Sequence, residues 1–181
     1  MNNKIKERYL NSFDELNIIS IEQFDTLDIK WFEDTLIDAY IEGFIGARYI
    51  LDGEIEELDQ DKINDALNKK YDGISILDKA KEYLMNKDTM GFNRLVTSEF
   101  HRMYNQGAFD YAKKNNIEIE KEWVAIMDER TRDTHYFLNG QRVPLDAYFY
   151  SYDGDKALFP GDFSNVSNNV NCRCILDYIK V

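Results

Sequence analysis

Both prolines of this chain, Pro144 and Pro160, fall in its last quarter, so a long N-terminal stretch lacks the residue that most strongly breaks a helix interior. In that stretch apolar residues recur at spacings of three and four, the mark of helices that bury one face. Phe24, Leu27, Trp31, Ile37, Tyr40, Ile41 and Phe44 form one stripe, with Glu33, Asp34 and Asp38 on the other faces. A second helix is predicted from an N-cap at Ser75 through Ile76, Leu77, Ala80 and Leu84. A third runs from about Thr89 through Phe92, Leu95, Val96, Phe100, Met103, Tyr104 and Tyr111, weakened slightly by Gly107. Asp52 with Gly53, and Tyr71 with Asp72 and Gly73, supply turns between them, which favours antiparallel helices.

Near Asn115 and Asn116 the chain changes character. Short runs of β character follow at 123–127, 136–138, 148–150 and 174–179, and they read as a small sheet. Asn139 and Gly140 are the strongest turn signal, expected in a two-residue hairpin where both take positive φ. The stretch 151–171 is a long polar loop, of the kind held down by specific contacts or kept for function. The expected fold class is therefore α+β: a helical N-terminal part followed by a small β-rich C-terminal part with a long polar loop.

Charge and cysteine usage narrow the function. With 34 Asp and Glu against 22 Lys and Arg the net charge is −12, which opposes a general phosphate-binding face. The N-terminal Lys4, Lys6, Glu7 and Arg8 precede no apolar run, so no secretory signal is expected, and no segment is apolar enough to span a membrane. Cys172 and Cys174 make no disulfide framework, which fits synthesis in a reducing cytoplasm.

Six of the eight residues 128–135 are ionisable, directly after an apolar run. His135 there is suited to acid–base work or metal ligation; the competing reading is a histidine hydrogen-bonded for structure. Cys172 and Cys174, two apart on extended chain, point to one face. Buried free thiols are the first reading for this pair, a metal the second and a disulfide the third. Zinc takes four N or S ligands, and with His135 the count reaches three, leaving Asp128, Asp162 or water for the fourth. A zinc-dependent hydrolase with Glu129 as base, or a metal-stabilised interaction domain, using His135, Cys172 and Cys174 is thus the runner-up function. His101 is assigned to packing or surface. Asp153, Gly154 and Asp155 resemble the start of a calcium loop without its remaining ligands, and are expected in a solvated turn.

Four blocks then occur in order. They are Thr97-x-Glu99-x-x-Arg102-x-x-Asn105-x-Gly107; Trp123 followed by Asp128-x-Arg130-Thr131-Arg132-x-x-His135; Leu138, Asn139, Gly140 and Gln141; and Phe159, Pro160, Gly161 and Asp162 leading to Asn171, Cys172, Arg173 and Cys174. From Thr97 to Leu176 the chain resembles the C-terminal domain of the phage Mu F-like minor head, or head-morphogenesis, proteins. The resemblance implies a virion structural protein of a phage or prophage, not an enzyme. It implies a place inside the head at the portal vertex, and a role in head morphogenesis or in DNA packaging and ejection. The implied partners are the portal protein and other head proteins, with no membrane and no small-molecule substrate. DNA contact would fall on Arg130, Arg132, Arg142 and Arg173.

The resemblance also divides the chain into residues 1–88, a helical and partner-binding region, and residues 89–181, the Mu F-like domain. Some family members are joined to toxin modules; none is expected here. Many carry a Cys-x-x-Cys and a later His that look like a closed zinc site, whereas here Arg132 and His135 take the two Cys positions and Asn169 that of the His. The favoured alternative to a cofactor is a buried polar network. In it Asp128 or Asp162 accepts from Arg130, Arg132 or Arg173 and fixes the long loop to the sheet.

Overall fold

A computed structural model describes residues 24–114 and 118–181; the charged N-terminus and the boundary expected at Asn115 and Asn116 lie outside the described residues. Two long helices form the frame. Helix α1 (Ile29–Ile50) begins where Asp28 is extended and its carboxylate accepts the Trp31 N–H at 2.8 Å, satisfying a donor that a helix start leaves unpaired. Phe24, expected on this helix, precedes it and packs edge-on to Phe92 at 5.5 Å.

Between the frame helices lie α2 (Gln60–Leu67), a hairpin of β1 (Lys70–Tyr71) and β2 (Ile74–Ser75), and α3 (Ile76–Met85). The hairpin turn holds Asp72 and Gly73 at φ of 51° and 83°, the positive values that a tight two-residue connection demands. Ser75 caps α3, its hydroxyl accepting the Asp78 N–H at 3.0 Å. Helix α2 carries no stripe long enough to stand out in the sequence, since it buries just Ile63, Ala66 and Leu67.

Helix α4 (Thr89–Lys114) runs alongside α1 in the same direction, not antiparallel as the turns suggest, because the 51–88 segment between them carries the chain back. Phe32 packs on Phe92 near both N-terminal ends at 5.8 Å and Phe44 on Tyr111 towards both C-terminal ends at 5.0 Å, and the two helices cross through bare backbone. A Cβ on Gly43 would stand 1.9 Å from the Tyr104 carbonyl oxygen, and one on Gly107 would stand 2.0 Å from that of Tyr40. The pair is reciprocal, a tyrosine three residues before a glycine on each helix, so Gly107 is the condition for the crossing more than a weakness in the helix. From Ser98 to Asn105 every residue of α4 is buried. Its middle is thus covered on all sides, and Glu99, His101, Arg102 and Asn105 enter the interior whatever their polarity.

Beyond α4, β3 (Ile119–Val124) is the centre of a three-stranded antiparallel sheet between β4 (Arg142–Pro144) and β7 (Ile175–Lys180), with Trp123 opposite Leu176. A second pair, β5 (Phe149–Tyr150) and β6 (Lys156–Ala157), lies after it. One hydrophobic core runs from Phe24 to Tyr178 and includes residues of every helix from α1 to α5.

Residues 136–138, expected as a strand, belong instead to α5 (Asp133–Leu138). Here His135 and Leu138 are buried while Tyr136 and Phe137 are exposed, a spacing of three where a strand would alternate. The expected hairpin at Asn139 and Gly140 changes accordingly. Gly140 alone has positive φ, 80°, and the Leu138 carbonyl accepts the Gln141 N–H at 3.0 Å, so the turn carries helix α5 into β4. The polar loop includes β6 and a last helix, α6 (Val166–Asn169). Asp153 and Asp155 do not simply face water: Asn168 Nδ2 donates to Asp153 at 3.0 Å, and Asp155 accepts the Ser164 hydroxyl at 2.6 Å and the Asn165 N–H at 2.9 Å.

Candidate functional site

The first motif block lies on α4, where burial makes each polar side chain find a partner. Arg102 Nε donates to Glu99 at 2.6 Å, with both side chains almost fully buried, and Arg102 Nη2 donates to the Ala66 carbonyl on α2 at 2.8 Å. Burial at this depth is tolerable because the guanidinium is both paired and hydrogen-bonded. Pro160 leads a buried turn onto this helix. Gly161 follows at φ 94°, and a Cβ there would stand 2.8 Å from the Arg102 Cβ, so glycine is needed for both conformation and approach. Asn105 Nδ2 donates to the His101 carbonyl at 2.8 Å and to the Cys174 carbonyl at 3.1 Å, tying the helix to the cysteine segment. Burial, with Arg173 nearby, lowers the His101 pKa to about 3, so its ring stays neutral. Thr97 is half-buried on the same helix and is drawn into none of these described contacts.

The second block forms a clasp. Asp128 accepts from Arg173 Nη2 at 2.6 Å, from the Arg130 N–H at 2.9 Å and from Arg130 Nη2 at 3.3 Å. The Arg173 guanidinium, above all, holds this carboxyl well below the usual carboxylate range. Arg132 goes elsewhere, donating to the Asn168 carbonyl at 3.2 Å. Asp162, expected among the same arginines, instead accepts the Leu158 N–H at 3.0 Å and faces Lys69 at 3.8 Å. Asn171 takes a φ of 54°, its N–H donating to Ser98 on α4 at 2.9 Å.

At the centre of these contacts His135, Cys172 and Cys174 are buried together, each offering a donor atom within 4.8 Å of the others. Both cysteines are free thiols. His135 Nε2 donates to the Asn168 carbonyl at 2.9 Å; a carbonyl can only accept, so the proton sits on Nε2 and the Nδ1 lone pair faces Cys174 Sγ at 3.3 Å. The thiol of Cys172 is lowered by its hydrogen bond from Cys174 and by His135, while that of Cys174 is raised by Cys172 and by burial. Asn169, at the position of the family's later histidine, does not join them. It bonds both the N–H and the C=O of Phe163, at 3.1 and 2.7 Å.

The motif residues thus tie α4 to the sheet and the polar loop, and through Arg102 they reach back to α2. Residues 60–177 match the family model for phage Mu protein F-like proteins. The chain belongs to the phage Mu protein F-like family. The matched region starts upstream of Thr97 and takes in α2, whose Ala66 carbonyl receives Arg102. The chain is 30% identical over 126 residues to NAD(+)--arginine ADP-ribosyltransferase EFV of Enterococcus faecalis, a match covering 66% of this chain and 25% of that protein. It is 32% identical over 84 residues to minor head protein GP7 of Bacillus phage SPP1, covering 45% of this chain and 27% of that protein. The chain thus aligns with about a quarter of the length of each of these curated relatives. No solved structure matches it.

Two residues of this Mu F-like unit escape sequence reasoning. Asn168 joins the clasp to the loop through its carbonyl and its side chain together. Lys121 is fully buried on β3, its ammonium donating to the Leu158 carbonyl at 2.7 Å between the rings of Phe109 and Phe149, 4.9 and 5.3 Å away. Burial lowers its pKa to about 7. The available signal was the alternation of Ile119, Lys121 and Trp123, which puts the lysine on the core face once the strand's register is known.

Proposed function

We propose that this chain is a minor head protein of a phage or prophage, made in the host cytoplasm. In this reading it sits inside the head at the portal vertex and acts in head morphogenesis or in DNA packaging and ejection, without enzymatic activity. The observation that carries the reading is the family membership over residues 60–177, joined to the match with a protein named as a minor head protein. The motif residues support it, because they are engaged in holding elements together and leave little room for a substrate at the His135 cluster. The adjoining cavity there is about 20 Å³.

Partner contact is assigned to the helical region up to residue 88 and to an aromatic face beyond it. Along β5 and its flanks Phe149 and Ser151 point inward while Tyr148, Tyr150 and Tyr152 are exposed, and Phe137 lies against Tyr152 at 6.3 Å. Exposed aromatics grouped in this way are typical of protein–protein contact. Among the described residues no helix is long and apolar enough to cross a membrane. DNA contact has little support: Arg130 and Arg173 are held by Asp128, Arg142 by Glu122, and Arg132 by the Asn168 carbonyl. Mass spectrometry of purified particles, with affinity capture of the portal protein from induced lysates, tests the assignment. The chain is expected in the particles and in the portal fraction; absence from both overturns it.

A further inference from the structure

We infer that His135, Cys172 and Cys174 bind one thiophilic divalent cation, zinc foremost, whose fourth coordination position is left to a water-derived ligand in an arginine-lined cavity. The inference is independent of a role in the head. A tetrahedral zinc places sulfur and nitrogen donors about 3.6 Å apart and two sulfurs about 3.8 Å apart. Nδ1 and Cys174 Sγ are already at 3.3 Å, and no donor pair exceeds 4.8 Å, so shifts of about 1 Å or less complete the geometry.

Three further observations fit a cation better than a pair of thiols. The ring nitrogen that would not bind the metal donates to a backbone carbonyl, which fixes the ligand tautomer and the orientation of the ring. Trp123 is fully buried with its indole N–H against the Cys174 sulfur, a weak acceptor as a thiol and not met at strict hydrogen-bond geometry. A metal-bound thiolate at Cys174 is the stronger, charged acceptor for this N–H. The charges also balance. Two thiolates cancel a divalent cation, and Asp128 already engages Arg130 and Arg173.

The open position follows from what surrounds the three donors. Asp128 is committed to its arginines, and Asp162 to Lys69 and the Leu158 N–H, so neither completes the set. Beside His135 and Cys174 lies instead the cavity of about 20 Å³, lined also by Arg130, Thr131, Arg132 and Arg173. That is room for one water, with donors around it suited to a hydroxide or a small anion. As the metal enters, two Sγ–metal bonds and one Nδ1–metal bond form, and the thiol protons leave to solvent.

The test is anaerobic titration of the reduced, metal-free full chain with Co(II). One equivalent is expected to give sulfur-to-cobalt charge transfer with tetrahedral ligand-field bands, and zinc is expected to bleach both. Cys174→Ser and His135→Gln are each expected to weaken binding about 100-fold or more, with far-UV circular dichroism reporting that each variant remains folded. If a variant unfolds, the conservative Cys172→Ser is read in its place. Added azide is expected to shift the ligand-field bands, because one position is exchangeable. No uptake by the folded wild-type chain, or uptake unchanged in the folded variants, overturns the site; bands indifferent to azide overturn the open position.

Discussion

The α1–α4 pair and the segment from Ala125 to Cys174 satisfy their backbones in opposite ways. In the long helices each interior amide bonds along its own chain, which frees side chains to be apolar and lets the pair cross at Gly43 and Gly107. After β3 the elements up to α6 are two to six residues long, and polar side chains replace the missing ladders. Asn139 Oδ1 accepts the Ala125 N–H, Asp162 the Leu158 N–H, Asp155 the Asn165 N–H, and Asn169 serves both backbone groups of Phe163. The two regions therefore differ in what damages them. Added volume breaks the first, while lost hydrogen bonds or lost backbone freedom break the second.

The largest effect is expected where the regions meet. Arg102→Met leaves the Glu99 carboxylate buried without its cation and is expected to cost about 3–5 kcal/mol in urea unfolding at pH 7. Pairing it with Glu99→Leu should restore most of that loss. A single-variant cost under about 1 kcal/mol would break the idea that polar burial on α4 joins the halves.

Next comes a direct contrast of two glycines. Gly107→Ala forces a methyl into the Tyr40 carbonyl and should cost about 2–3 kcal/mol or more. Gly140→Ala meets open space and pays for its positive φ alone, about 1–2 kcal/mol. Equal costs in chemical denaturation would erase the distinction between the regions.

The smallest expected effect is a slope with pH. The Lys121 pKa falls to about 7 on folding from its usual 10.5, so between those values the unfolded chain binds more protons and stability rises with pH. Allowing for relaxation of the structure around the buried ammonium, wild type should gain about 2 kcal/mol over Lys121→Met between pH 6.5 and 9. Parallel curves for the two proteins would remove the buried cation from the account.

The same division decides how much was readable from the sequence. The helix at α1, the Ser75 cap and the Asp72–Gly73 turn are local patterns and stand where periodicity or capping chemistry puts them, although of the expected stripe within α1 only Tyr40 and Phe44 are buried, beside Phe32, Leu36, Ala39 and Gly43. Helix α5 was misread because Tyr136, Phe137 and Leu138 have strand composition, while the choice is made by burial of His135 and Leu138 from outside the segment. The site divides similarly. The motif spacing named Asp128, Arg130, Arg173 and the His135 and Cys pair, but the partners that Asp162, Lys121 and Asn168 find across the fold lie 33 or more positions away: Lys69, the Leu158 carbonyl, and the Arg132 and His135 side chains. No local pattern encodes such pairs.

The crossing of α1 and α4 has an evolutionary consequence. In most tight contacts a larger side chain at one position is accommodated by a smaller one opposite, so a damaging change can be rescued at a second site. At Gly43 and Gly107 the opposing atoms are the carbonyl oxygens of Tyr104 and Tyr40, which every amino acid carries alike. No substitution at either tyrosine shortens its carbonyl, and suppressor searches starting from an alanine at either glycine should return true revertants or changes that move a whole helix.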